Sequence, residues 1–414
     1  MKYIQEHLKK AALALKLITL SLTVGIICGL VGGIFHRTID FATEFRVEHS
    51  DILYLLPFAG LVIVFLYNKT NLKKDPGTNN IISGVRSEEN IPFAIAPNIF
   101  FATIITHLFG GSAGREGAAL QLGGAIGSAT GNVFKTDCKL KPLIILAGMS
   151  GVFSALFGTP LTAVVFAIEL CCVGTMFYSS LLPCFISAYT ALFISKMMGT
   201  NPVRLAVADI PSTNINTIIS VIILGFACAC LGILFCKAMK HTHKLAEEKI
   251  PNSYLRIFVG GAIIVVLTKL LGTYDYNGAG MDIIIQATNG NAVPYAFLLK
   301  ILFTAITIGF GYKGGEIVPT FFIGATFGCV LAPILNLSPS FSAAVGMAAL
   351  FTAVVNCPIA SLILACEIFG SNGILLYAAA IFVSFTFSGY SSLYASQMFS
   401  FSKNCFETLN RKSK

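Results

Sequence analysis

The sequence predicts an all-α polytopic membrane protein, built from two repeats whose helices are broken and tilted. Three observations predict it. First, 55% of the 414 residues are apolar and only 11% are charged, whereas soluble domains carry about 25% charged residues. Mean hydropathy is +0.80. Second, many apolar blocks are shorter than the roughly 20 residues a perpendicular crossing needs, and glycines concentrate between them. Third, the chain repeats itself at offsets of 198 and 200 residues.

The composition excludes soluble, disordered and disulfide-rich secreted classes. The net charge of +9 reads as loop charge on the cytoplasmic side rather than a nucleic-acid surface. The twelve Cys are scattered, with no CxxC pair and no Cys/His cluster. They read as small core residues, and no cofactor or metal is expected. The basic start at Lys9 and Lys10 and the long apolar run from Leu13 to Phe35 do not fit a cleaved signal.

Apolar blocks follow in order at about 12–35, 52–67, 93–109, 117–134, 143–158 and 161–198. They resume at about 215–238, 256–272, 295–310, 317–335, 340–356 and 359–388. Short blocks imply re-entrant or strongly tilted helices. Non-helical backbone at membrane depth is tolerated where it lines a cavity, so Gly-rich breaks point to a binding site inside the membrane. Polar stretches at Asn68–Asn90, Lys237–Pro251 and Lys403–Lys414 read as loops. The basic start, middle and end place both termini in the cytoplasm. Repeat 1 is expected at about 12–198, the linker at about 237–251 and repeat 2 at about 215–402. With the chain ending at 414, no appended soluble regulatory domain is expected.

The repeat is explicit in Gly148–Glu169 against Gly346–Glu367. Seven of 22 positions match: Gly148/Gly346, Met149/Met347, Phe153/Phe351, Ala155/Ala353, Pro160/Pro358, Ala167/Ala365 and Glu169/Glu367. Upstream, Gly111-x-x-Gly114-x-Glu116 corresponds to Gly311-x-x-Gly314-x-Glu316. Transporters built from repeats place their site where corresponding broken segments meet.

Four segments carry candidate chemistry. Gly110–Gly117 (GGSAGREG) follows one apolar block and opens another. Free N–H groups and a positive dipole end make a helix start of this kind an anion site. Gly114, Arg115 and Gly117 are assigned to it. Glu116 stands there too: ionised, its carboxylate fills the anion position; protonated, it swings out carrying a proton. The plainer alternative is an acidic cap. An ionisable group within a membrane is a functional candidate by default. Gly311–Pro319 (GYKGGEIVP) repeats the arrangement, with Glu316 as a second proton-handling acid and Gly315, Ile317 and Val318 as anion donors. A structural cap is again the alternative. Gly77, Thr78 and Asn79 begin a helix-like stretch after Pro76 and offer a hydroxyl and backbone amides, or a plain turn. Tyr394, in Ser388–Tyr394, can donate its hydroxyl to an anion or anchor at an interface.

Together these segments resemble the CLC chloride channel and transporter family over nearly the whole chain. GREG at Gly114–Gly117 is similar to its gating-glutamate motif, Gly315–Pro319 to its third anion-binding segment, and Tyr394 falls where its anion-coordinating Tyr sits. The resemblance implies a CLC-type fold of two inverted repeats and a homodimer with one pore per subunit. THLFGGSAGREG, the Glu of GGEIVPTFFIGATFG, and SGYSSLYASQ resemble the family's fluoride/proton antiporter branch most. Thr78 stands where the family's usual serine segment lies, and that branch replaces the serine with Met or Thr. The chloride/proton antiporters carry an inner relay Glu directly after the residue matching Glu169; here Leu170 follows. The implied function is fluoride export in exchange for protons, in the cell membrane of a bacterium, with lipid and a second copy as the other partners. A chloride channel or chloride/proton antiporter is the near alternative. A rhomboid-like serine protease is the remote one, because Gly148-Met149-Ser150-Gly151 resembles GxSG, although no intramembrane His follows Ser150.

Overall fold

The computed structural model describes residues 2–73, 75–87, 91–403, 405 and 407–413. Among the described residues the first half holds eight α-helices: α1 (Lys2–Glu48), α2 (Leu56–Lys69), α3 (Thr78–Ser87), α4 (Ile95–Leu108), α5 (Glu116–Val133), α6 (Lys141–Phe157), α7 (Pro160–Leu170) and α8 (Leu181–Met197). The second half matches them one for one: α9 (Ile215–Lys249), α10 (Ser253–Leu271), α11 (Met281–Thr288), α12 (Ala296–Gly309), α13 (Ile317–Leu335), α14 (Pro339–Val355), α15 (Pro358–Phe369) and α16 (Ile374–Phe387). Six described helical segments are long and apolar enough to cross a membrane, and seven shorter apolar helices accompany them. The chain is a multi-pass membrane protein with broken helices.

The halves pack alike. The helix opened by Glu116, α5, lies on α6 as α13 lies on α14, and the long α1 packs on α8 as α9 packs on α16. Lipid tails supply no hydrophobic drive between helices, so small residues let backbones approach. A Cβ on Gly123 would stand 2.2 Å from the Gly148 carbonyl oxygen, and one on Gly148 would stand 2.1 Å from that of Gly123. Gly324 and Gly346 repeat the contact at 2.5 and 2.3 Å. The buried faces of α5, α6, α13 and α14 are consequently backbone-to-backbone, and they fix where α5 and α13 begin.

A second reciprocal contact joins the halves. Glu169 on α7 accepts hydrogen bonds from Ile359 N (3.2 Å) and Ala360 N (2.9 Å) at the start of α15. Its repeat mate Glu367 on α15 accepts from Leu161 N (3.1 Å) and Thr162 N (2.9 Å) at the start of α7. Each acid satisfies the orphan amides of the other helix, as a two-fold relation between inverted halves requires. These two acids are caps.

Several expectations change. Lys237–Lys249 is no loop but the end of α9. No breaker precedes Pro251, and i,i+4 pairs His243–Glu247 (3.8 Å) and Lys244–Glu248 (3.7 Å) run along it. The irregular segment between the halves is instead 199–214. Within the expected loop Asn68–Asn90, Thr78–Ser87 is helical, and residues 74 and 88–90 lie outside the described residues. Blocks 161–198 and 359–388 each divide into two helices, at the Cys172–Val173 strand and at Gly370. Within the expected tail Lys403–Lys414, Thr408–Lys412 is a strand, and residues 404, 406 and 414 lie outside the described residues. Strands β1 (Cys172–Val173), β2 (Met398–Phe401) and β3 (Thr408–Lys412) form one sheet in that order. The β1–β2 pair is parallel (Cys172↔Met398) and β2–β3 antiparallel (Met398↔Lys412). This sheet ties down the segment carrying Tyr394.

Candidate functional site

The turns ending at α5 and α13 cross inside the molecule. Gly114 N donates to Gly315 O at 2.7 Å, and Gly315 N donates to Gly114 O at 2.7 Å. In the fold Gly114 therefore meets Gly315, one residue beyond the Gly314 that the sequence repeat pairs with it, in one antiparallel bridge between the repeats. The approach is so close that a Cβ on Gly315 would lie 2.3 Å from Gly117 N. Two helix starts, each with unpaired amides, are brought together at this bridge.

Glu116 is the first residue of α5 and is 1% exposed. Its Oε2 accepts from Arg115 N at 3.0 Å. The carboxylate also faces the amides of Glu116 and Val318, so it occupies the space that both helix starts address. Oε1 has no hydrogen-bond partner among the described residues and lies 3.7 Å from Arg115 Nε. The Arg115 guanidinium is committed elsewhere: Nη1 donates to Asp40 Oδ1 at 2.7 Å, and Asp40 also pairs with His36 at 3.2 Å. What Arg115 offers the site is its amide and a longer, 3.7 Å approach of its Nε to the Glu116 carboxylate. Ile317 and Val318 form the first turn of α13 and are buried.

A cavity of about 540 Å³ opens on the other side of the bridge. Its walls include Gly77, Thr78, Asn79, Gln121, Glu316 and Tyr394. Five of the expected site residues thus meet in one space. Gly114, Arg115, Glu116, Gly117, Gly315, Ile317 and Val318 are not on its walls; they lie beyond a contact between Thr78 and Gly117. There Thr78 Oγ1 donates to Gly117 O at 3.3 Å, so its hydroxyl proton is engaged with backbone rather than offered to the cavity. Tyr394 is 2% exposed and its hydroxyl has no partner among the described residues. It stands within electrostatic reach of both Glu316 and Glu116. The Asn79 side chain is a brace: its Oδ1 accepts from Ser396 N at 2.8 Å and locks the Tyr394 segment to α3. Gln397 completes the brace by donating to Leu170 O (2.9 Å) and Val355 O (2.7 Å).

Gln121 was not anticipated. It is 4% exposed, donates to Thr78 Oγ1 at 3.2 Å, and leaves its Oε1 without a partner among the described residues. The signal was a lone amide in an otherwise apolar stretch, five residues after Glu116. The protease alternative fails on geometry. Ser150 donates to Ala147 O (3.0 Å) and Cys184 O (3.1 Å), with backbone carbonyls where a base would stand. Ser112 pairs with Thr304 at 3.1 Å.

Residues 58–389 match the voltage gated chloride channel family. A "Chloride/fluoride channel protein" of Pseudomonas syringae pv. tomato is 33% identical over 399 residues, covering 94% of this chain and 88% of the relative. The "H(+)/Cl(-) exchange transporter ClcA" of Vibrio vulnificus is 26% identical over 408 residues, covering 90% and 86%. Among solved structures, a CLC-type fluoride/proton antiporter superposes with a TM-score of 0.90 at 31% identity, over 94% of this chain and 98% of that one. A slow cyanobacterial Cl⁻/H⁺ antiporter, at 0.76 and 20% identity over 90% and 94%, shares the fold.

Proposed function

This chain belongs to the voltage gated chloride channel family, and on that premise we propose that it is a fluoride/proton antiporter that exports fluoride. The observation that carries the reading is the Glu116 carboxylate, lodged against the amides of Arg115 and Val318 at the Gly114–Gly315 bridge. Those amides suit a small anion, so an anion and an ionised Glu116 compete for one place. Protonation frees Glu116 to leave, and the same side chain that gates the anion carries the proton. Glu316, facing the cavity, is the acid on the opposite side.

Fluoride is small and strongly hydrated, and stripping its water requires short, strong donors. Backbone amides at two helix starts and the Tyr394 hydroxyl, which has no partner among the described residues, are such donors. The 31% identical antiporter structure and the 33% identical chloride/fluoride relative support this anion. Lack of an acid after Glu169 does not count against exchange, since Leu170 is buried and Glu169 is a cap.

The same reading takes the protein to be a homodimer in a bacterial inner membrane. Both termini face the cytoplasm, and the cavity opens on that side.

Purified protein in liposomes tests the reading. A fluoride gradient drives protons uphill, seen as a pH change against the proton gradient. A zero-current potential that follows the anion gradient alone, indifferent to pH, makes the protein a channel.

A further inference from the structure

The cavity holds a charged group that the gating mechanism leaves unused. Lys313 lies inside the Gly-rich turn before α13, and its half-buried side chain lines the cavity. Its ammonium sits 4.6 Å from the centre of the Tyr67 ring. No carboxylate of the described residues lies within 4.0 Å of it. The charged groups facing it from the surrounding elements are Asp75, Glu316 and Arg256. Asp75 Oδ1 accepts from Gly77 N and Asn80 Nδ2 of its own turn, both at 3.3 Å, while its Oδ2 has no hydrogen-bond partner among the described residues.

Tyr67, at the end of α2, gives an independent second observation. It is 5% exposed, lines the same cavity, and its hydroxyl has no hydrogen-bond partner among the described residues. A buried hydroxyl without a partner costs free energy. So does an ammonium drawn partly out of water with no carboxylate in salt-bridge range. One small anion, bound between them, relieves both costs.

We propose that Tyr67 and Lys313 form a separate halide subsite in the cavity, where the anion is held before it reaches the amides of Gly77–Asn79 and the bridge beyond. Lys313 supplies the charge and Tyr67 a directed hydroxyl. The ligand class is a small, partly hydrated halide, fluoride on the reading above. The site rests on that reading for its occupant, while its geometry is this chain's own.

The test is fluoride efflux from proteoliposomes over a range of internal fluoride concentrations, with wild type, Lys313→Met, Lys313→Arg and Tyr67→Phe. Lys313→Met raises the half-saturating concentration about tenfold, as expected for losing one charge-assisted contact. That rise exceeds any fall in maximal rate. Lys313→Arg keeps the wild-type value to within about twofold, and Tyr67→Phe shifts it in the same direction as Lys313→Met by a smaller factor. Unchanged half-saturation in both Lys313→Met and Tyr67→Phe overturns the subsite. Should Lys313→Met not fold, the near-isosteric Tyr67→Phe decides alone: a raised value supports the subsite and an unchanged one overturns it. Failure of the underlying reading looks different, because the wild type itself then releases no fluoride.

Discussion

Glu116→Gln moves fluoride without moving protons. The carboxylate is buried at the head of α5, within reach of amides from both repeats. Gln keeps the volume and one hydrogen-bonding oxygen, so packing around the bridge survives. It cannot take up and release a proton, and it carries no negative charge to compete with an anion. Fluoride-driven pH change in liposomes therefore falls below detection while fluoride efflux remains measurable. The cleanest record is simultaneous fluoride and pH electrode traces from one vesicle preparation. Proton movement that persists at the wild-type ratio removes Glu116 from the proton path and transfers the role to Glu316, the carboxylate on the cavity wall.

Gly315→Ala is the second large effect. The new Cβ would stand 2.3 Å from Gly117 N and 3.0 Å from Gly117 Cα. Both obstacles are backbone, and neither can rotate away. Overpacking in a tight interior costs about 1–3 kcal/mol, at times more. Here the strain falls on the 2.7 Å bridge that aligns two helix starts. A displacement of about 1 Å at a geometry-dependent site can cost roughly 100-fold in rate. Efflux is accordingly expected to drop by about that factor, and the thermal midpoint to fall as well. Wild-type efflux from Gly315→Ala would mean that the bridge is not where the anion is handled.

Much of this architecture was legible because its causes are local or periodic. The repeat shows in the matched Gly148–Glu169 and Gly346–Glu367 segments, and the structure makes the shared Gly148 and Gly346 points of close helix approach. The Gly–Glu turns announced themselves because glycine beside an acid in an apolar context has few other uses. What sequence did not convey was partnership across long separations. Nothing near Glu169 signals that its carboxylate serves α15, 190 residues away. Thr78 shows a hydroxyl in the sequence, but only the fold brings the Gly117 carbonyl to it. Arg115 reads as a cation available to an anion until α1 supplies Asp40. The α9 extension reads as a loop in the sequence because its charge density resembles a linker. Its helix-favouring residues and i,i+4 pairs outweigh that resemblance.

The central claim is that the Glu116 carboxylate and the transported anion contest the same amides. Equilibrium fluoride binding measured by calorimetry across pH, for wild type and Glu116→Ala, tests it most directly. Raising pH ionises Glu116 and puts the competitor in place. Wild-type affinity should therefore weaken with pH, at a limiting slope of about tenfold per unit for one linked proton. Glu116→Ala should bind more tightly at high pH and show little pH dependence. Parallel curves for the two proteins would contradict the account.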